Sequence, residues 1–190
     1  MLKTICVYCS SSDALTDSFF QAATEFGALL AQRNYTLVYG GGRIGLMGAV
    51  ARSVHQHGGK VIGVIPKSLQ DKEVGYAAAD ELIITKDLRD RKAIMEARAD
   101  AFVALPGGFG TIEEIFEILT LKQLQLHTKP IILVNTNRFY DHLIKLCEHI
   151  YAERFAKPDS RLLYHIASEP AEVFSYLDIY QPPKLESKWF

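Results

Sequence analysis

Glu113 and Glu114 stand side by side directly behind a glycine turn, Leu105-Pro106-Gly107-Gly108-Phe109-Gly110-Thr111. Two adjacent carboxylates at a helix start can hold sugar hydroxyls and activate water, the chemistry that cleaves glycosidic bonds. Glu114 also has a plainer reading. Thr111-Ile112-Glu113-Glu114 satisfies Thr-x-x-Glu, the capping box whose acid only ties down the first turn of a helix. An earlier glycine turn, Tyr39-Gly40-Gly41-Gly42-Arg43-Ile44-Gly45-Leu46-Met47-Gly48, meets the G-x-G-x-x-G pattern at Gly40, Gly42 and Gly45. Glycines let bare amides come close to an anion, and a helix N-terminus adds orphan donors and a favourable dipole. A dinucleotide site would also carry an acid about 20 residues further on, at the end of the next strand. That strand ends Ile65-Pro66-Lys67, and no Lys-Ser/Thr follows Gly45 as a nucleoside-triphosphate loop requires. A monophosphate fits the two turns better.

Between the turns lies Arg89-Asp90-Arg91-Lys92. Mixed charge of this kind commonly marks a solvated helix face, yet an arginine at a helix start beside a glycine loop can also clamp phosphate with two parallel hydrogen bonds. Cys6-Val7-Tyr8-Cys9 matches the C-x-x-C of dithiol sites. On an extended strand, residues three apart face opposite sides, so these read as buried thiols, with Cys9 bordering the site. The six histidines show no metal-ligand spacing, and no metal site is expected.

These groups can meet only if the chain places them on one edge. Nearly continuous aliphatic runs at residues 4–9, 35–39, 60–65, 81–85, 101–105 and 130–135 alternate with stretches of helical period. Phe19, Ala23, Phe26 and Leu30 share one helix face, and Ile112, Ile115, Phe116 and Leu119 share another. The pattern predicts an α/β, Rossmann-like doubly wound fold: a mainly parallel sheet of six or more strands with helices on both faces. In such a sheet all strand ends of one sense lie together. Both glycine turns, Arg91 and Cys9-Ser10-Ser11 should therefore line one crevice at the switch point. Residues 66–80 show neither period and read as a rim or lid. Residues 1–180 read as one domain, and residues 181–190, opened by Gln181-Pro182-Pro183 and closed by Trp189 and Phe190, as a tail.

Composition removes whole classes of function. With 21 Lys+Arg against 22 Asp+Glu in 190 residues, the formal charge is −1, so no global field recruits nucleic acid or an anionic membrane. At 48% apolar and 23% charged residues the chain reads as globular, and no apolar run nears the roughly 18 residues that a membrane span requires. Three cysteines and no targeting segment point to the cytoplasm.

Taken together, the Tyr39–Gly48 turn, Arg91-Lys92-x-x-Met95 and Pro106-Gly-Gly-Phe-Gly-Thr-Ile-Glu-Glu114 resemble the LOG ("lonely guy") family of nucleotide phosphoribohydrolases, the last motif, PGGxGTxxE, being the most diagnostic. The resemblance implies hydrolysis of the N-glycosidic bond of a cytokinin riboside 5′-monophosphate or of AMP, giving free adenine-type base and ribose 5-phosphate without a cofactor. By motif position it implies Arg91 and Glu114 as catalytic residues. Lys92, Gly108, Phe109, Gly110, Thr111, Glu113, Thr120 and, in the long segment, Glu73 would contact substrate. Ser10, Gly41, Gly42, Gly45 and Gly107 complete the expected substrate-binding set. The family's Met-His before the Arg-Lys pair and Trp-Ala after the threonine are replaced here by Leu88-Arg89-Asp90 and Leu121-Lys122, which bear on base preference and oligomer type. Apolar helices at 111–126 and 139–151 predict a homodimer with the site near its interface. Two rival readings use the same residues differently. A sensing module would bind the nucleotide without cleaving it, and a pyridoxal-phosphate decarboxylase would need a Schiff-base lysine that no local context singles out.

Overall fold

In the computed structural model, which describes residues 3–72 and 74–184, the aliphatic runs form seven parallel strands in the order β4-β3-β2-β1-β5-β6-β7. They are β1 (Thr4–Tyr8), β2 (Thr36–Tyr39), β3 (Lys60–Pro66), β4 (Glu81–Thr85), β5 (Ala101–Ala104), β6 (Ile131–Val134) and β7 (His165–Ala167). The helices between them are α1 (Asp17–Gln32), α2 (Gly45–Gln56), α3 (Lys67–Gln70), α4 (Leu88–Arg98), α5 (Phe109–Gln123), α6 (Asp141–Ala152) and α7 (Pro170–Ile179).

Alternation along each strand explains the two layers. Ile5, Val7 and Cys9 of the β1 segment face a core built with Phe26 and Leu30 of α1, Val50 and Val54 of α2, and Val173 and Phe174 of α7. Cys6 and Tyr8 face the other core, with Met95 of α4 and Ile115, Ile118 and Leu119 of α5. Both sides of the central strands are dry, which is why they read as unbroken apolar runs instead of alternating ones. The same geometry disposes of the C-x-x-C dithiol: Cys6 and Cys9 lie in different cores, and all three cysteines are unpaired.

The sheet grows outward from β1 in one direction through β2, β3 and β4, then restarts on the other side with β5. Between the C-terminal ends of β1 and β5 the two chain segments leave in opposite directions, so a crevice opens there.

The six expected strands are all present, with boundaries shifted by a residue or two. β7 is additional: three residues are too short to show a period, and its pairing with β6 (Ile132↔His165, Val134↔Ala167) depends on chain from far away. Segment 66–80 is not without structure. Its start coils into α3, and Gly75 forms an antiparallel bridge with Gly42. Glu73 and the end of the tail, including Trp189 and Phe190, lie outside the described residues. Among those described, no helix is long and apolar enough to cross a membrane.

Candidate active site

A cavity of about 530 Å³ occupies the crevice. Its floor comes from Cys9 and Ser10 after β1, Gly40 and Gly42 after β2, and Arg91 and Glu114; Gly108, Phe109, Gly110 and Thr111 form the side contributed by α5. Ile44, Met47, Ile65, Leu69 and Val74 supply an apolar wall.

Glu114 decides between the two readings of its motif. The helix begins at Phe109 with Gly108 as N-cap, so Thr111 already lies inside the first turn and no side chain caps the start. The capping-box reading requires Thr111 at the cap itself, and that register is absent. Glu114 turns instead to Arg91, whose Nη2 stands 3.3 Å from its Oε1. Only 9% of the Glu114 side chain is exposed, and burial raises its pKa to about 7 against the pull of Arg91, with Glu113 adding to the rise. A carboxylate with this pKa is poised to take a proton near neutral pH.

Arg91 is itself held. Its Nε donates to the Val64 carbonyl at 3.2 Å, and it passes so close to Gly40 that a Cβ there would sit 1.9 Å from Nη2. A side chain at position 40 would displace the arginine's guanidinium.

The two glycine turns, alike in sequence, differ in what their amides do. At α2 the Gly45 N–H donates to Asp13 Oδ1 at 2.8 Å, and the Met47 N–H to the Ser10 carbonyl at 3.3 Å. Gly45, at φ +59°, presses so tightly on this loop that a Cβ would lie 2.5 Å from the carbonyl carbon of Ser11. The expected phosphate cradle at this helix is thus corrected: the protein's own carboxylate occupies it. Gly42 lines the cavity, whereas Gly41 serves the rim, its carbonyl accepting from Tyr76 N–H at 2.8 Å. At α5, by contrast, Ile112 N–H bonds to the Gly108 carbonyl, while the amides of Phe109, Gly110 and Thr111 have no hydrogen-bond partner among the described residues. Nothing stands within 4 Å of where a Cβ would sit on Gly108 or Gly110, so this backbone is open to a ligand. Gly107 is not part of that opening, since a Cβ there would meet Thr111 Oγ1 at 2.1 Å.

The remaining expected residues lie elsewhere. Lys92 is ion-paired with both Glu113 and, at 2.8 Å, Glu117 on the α4–α5 face. Burial lowers the affinity of Lys92 for its proton, but the two carboxylates outweigh it and leave the pKa raised. Neither Lys92 nor Glu113 lines the cavity of the single chain, and Thr120, bonded through Oγ1 to the Phe116 carbonyl at 2.7 Å, lies a little under two turns beyond Glu114 along α5. Three features escaped the sequence reading: the Asp13 cap, the apolar wall, and a clasp on the rim. In the clasp Asp80 Oδ2 lies 3.0 Å from His55 Nε2, and His55 Nδ1 lies 3.0 Å from the Tyr76 hydroxyl. Asp13 sits beside Ser-rich chain and gives no local sign of a partner 32 residues on.

A parallel α/β sheet with open helix-start amides beside a buried carboxylate at its switch point places this chain among Rossmann-like proteins with a cavity at the crevice. The chain belongs to the LOG family, whose model, described as "Possible lysine decarboxylase", matches residues 47–177. It is 40% identical over 180 residues to the cytokinin riboside 5′-monophosphate phosphoribohydrolase LOG5 of Arabidopsis thaliana, covering 95% of this chain and 79% of that protein. To the enzyme of the same description, LOG, from Oryza sativa subsp. japonica, identity is 43%, with 95% and 74% covered. Among solved structures, the molybdenum cofactor carrier protein of Chlamydomonas reinhardtii superposes with a TM-score of 0.72 at 24% identity (94% and 97% covered). The protein TM1055 does so with 0.73 at 23% (94% and 100% covered). At these identities the structural likeness speaks for the fold.

Proposed function

We propose that this chain is a cofactor-free phosphoribohydrolase that cleaves the N-glycosidic bond of a purine riboside 5′-monophosphate, either a cytokinin riboside 5′-monophosphate or AMP. The observation that carries this reading is Glu114, a buried carboxylate beside Arg91 and a little over one helical turn from three unoccupied amides. The names of the relatives agree with it.

The 5′-phosphate binds at the first turn of α5, on the amides of Phe109, Gly110 and Thr111, where the dipole and free donors favour an anion. The sugar then lies over Glu114. As the bond from C1′ to the base nitrogen stretches, positive charge develops at C1′, and the ionised carboxylate stabilises it. Water adds to C1′, giving a proton to Glu114, while the base leaves with the bonding pair and takes up a proton from solvent, to which Glu114 then returns its own. Arg91 fixes the carboxylate and favours its ionised form; the apolar wall and Phe109, 98% exposed at the rim, offer a surface for the flat base. The expected contacts of Lys92, Glu113, Thr120 and Glu73 remain part of this reading. So do a homodimer, supported by exposed Leu126 and Leu146 after α5 and on α6, and a cytoplasmic location, which the unpaired cysteines suit.

Incubation with AMP, with its N6-isopentenyl analogue and with the matching free nucleosides tests the proposal. Release of free base and ribose 5-phosphate from a monophosphate is expected, with the nucleosides far slower because phosphate binding orients the reacting carbon. Tight nucleotide binding without any product would favour the sensing module instead.

A further inference from the structure

The first turn of α5 can receive a phosphate only if the strand-to-helix turn ahead of it aims its amides into the cavity. That turn is braced partly by a connection that does not line the cavity at all. Leu105 lies one residue past the end of β5, beyond the last pair of the ladder, Ala104↔Leu133. Two braces come from the β1 side: Leu105 N–H donates to the Tyr8 carbonyl at 2.9 Å, and Ser10 N–H to the Pro106 carbonyl at 3.2 Å. The third comes from the other side. Tyr140, between β6 and α6, donates its hydroxyl to the Leu105 carbonyl at 2.7 Å. Tyr140 is 1% exposed, and burial raises the pKa of its phenol, so the group remains a donor.

Delivering Tyr140 to this place strains the chain. Asn137 at φ +54° and Arg138 at φ +61° are both left-handed, in succession and without a glycine. Asparagine tolerates that region, but a long side chain such as Arg138 seldom adopts it, and such residues persist only where their surroundings impose them. The surroundings here are specific. Asn135 Oδ1 accepts from the Tyr140 N–H at 2.7 Å, its Nδ2 donates to Asp141 Oδ1 at 2.9 Å, and Arg138 Nε donates to Asp141 Oδ2 at 2.7 Å. Core packing explains the ring of Tyr140 but not its hydroxyl, since a phenylalanine would fill the same space. What the hydroxyl adds is the bond to Leu105.

We propose that Tyr140 is a positioning residue for phosphate binding: through the Leu105 carbonyl it fixes the direction in which the amides of Phe109, Gly110 and Thr111 face the cavity. The inference rests on the reading of those amides as the phosphate seat. With nothing within 4 Å of a Cβ on Gly108 or Gly110, side-chain packing does not hold this backbone, and its direction is set by the bonds upstream. Fixing donors before the ligand arrives spares the cost of ordering them on binding.

Tyr140→Phe keeps the ring and removes the bond. Calorimetry on the full chain compares ribose 5-phosphate, which reaches the amides, with adenine, which carries no phosphate. The variant is expected to bind ribose 5-phosphate about three- to tenfold more weakly, the range that one ordinary hydrogen bond spans, and adenine as tightly as before. An unchanged affinity for ribose 5-phosphate, or an equal loss for both ligands, overturns the proposal and leaves Tyr140 a residue of the core; so does a wild type that does not bind ribose 5-phosphate. If Tyr140→Phe does not fold, Asn135→Ser, which frees the Tyr140 N–H, is judged by the same two affinities. Base release from AMP is followed alongside: its absence in the wild type would refute the hydrolase, while the affinities still decide the role of Tyr140.

Discussion

A carboxylate with a pKa of about 7 is half ionised at neutral pH, and the consequence can be read from the direction of each contribution at Glu114: burial raises, Arg91 lowers, Glu113 raises. Base catalysis needs the ionised form, so turnover should climb as pH rises through about 7 and level off above it, as a pH–rate profile on AMP would reveal. Arg91→Gln removes the lowering influence. Residual activity in that variant should therefore show its acidic limb displaced to higher pH, and an unmoved limb would assign the titration to another group. Stability runs the other way. Glu114 holds its proton more tightly folded than unfolded, so its contribution falls as pH rises from the ordinary carboxylate range through about 7. Glu114→Gln keeps the shape and removes the base. Turnover should drop by roughly 10²–10⁴, the usual worth of a positioned base, while nucleotide binding measured by calorimetry changes little. Wild-type turnover in this variant would reduce Glu114 to a structural partner of Arg91.

At the scale of the element, two similar glycine turns have been put to different uses by the neighbours each meets in space. α2 starts against the β1 loop, and Asp13 accepts from its Gly45 N–H; α5 starts at the open crevice, and none of the described residues reaches the amides of Phe109, Gly110 and Thr111. Asp13→Ala should accordingly destabilise the fold by about 1 kcal/mol, the typical value of a lost helix cap, seen as a lower denaturation midpoint with an unchanged slope. A loss no larger than that of an exposed surface change would show that α2 does not depend on its cap. The rim is likewise built from two elements at once. Arg43 N–H bonds to the Val74 carbonyl at 2.8 Å, Gly42 bridges Gly75, and the Asp80-His55-Tyr76 clasp ties the far end to α2. The sequence of 66–80 shows no period because its order comes from these external partners and not from a repeating face of its own.

For the molecule as a whole, α6 carries Leu146 49% exposed, with Phe155 84% and Leu162 53% exposed beyond it, apolar side chains that a second copy could cover. Sedimentation should find twice the 21.3 kDa chain mass, and Leu146→Glu should shift it toward a single chain without loss of helical signal. An unchanged doubled mass in the variant would place any interface elsewhere. Lys92, Glu113 and Thr120 bear on the same question, since all three lie outside the cavity of one subunit.

Much of this protein was legible in its residues. Aliphatic runs separated by amphipathic stretches leave a chain few ways to hide its apolar surface, so the doubly wound sheet, six of its strands and the edge that gathers the glycine turns follow from local pattern and topology alone. Family membership followed from the motif at Pro106–Glu114. Other features needed the folded chain: which turn keeps its amides free among the described residues, that Glu114 faces Arg91 instead of capping its own helix, and that Lys122 is buried against the Leu163 carbonyl. These turn on contacts between segments far apart in sequence, such as Asp13 with Gly45 and Lys122 with Leu163. Periodicity tells which face of an element is buried, but hydrogen-bond partners and pKa values depend on distances of a few ångströms that only packing establishes.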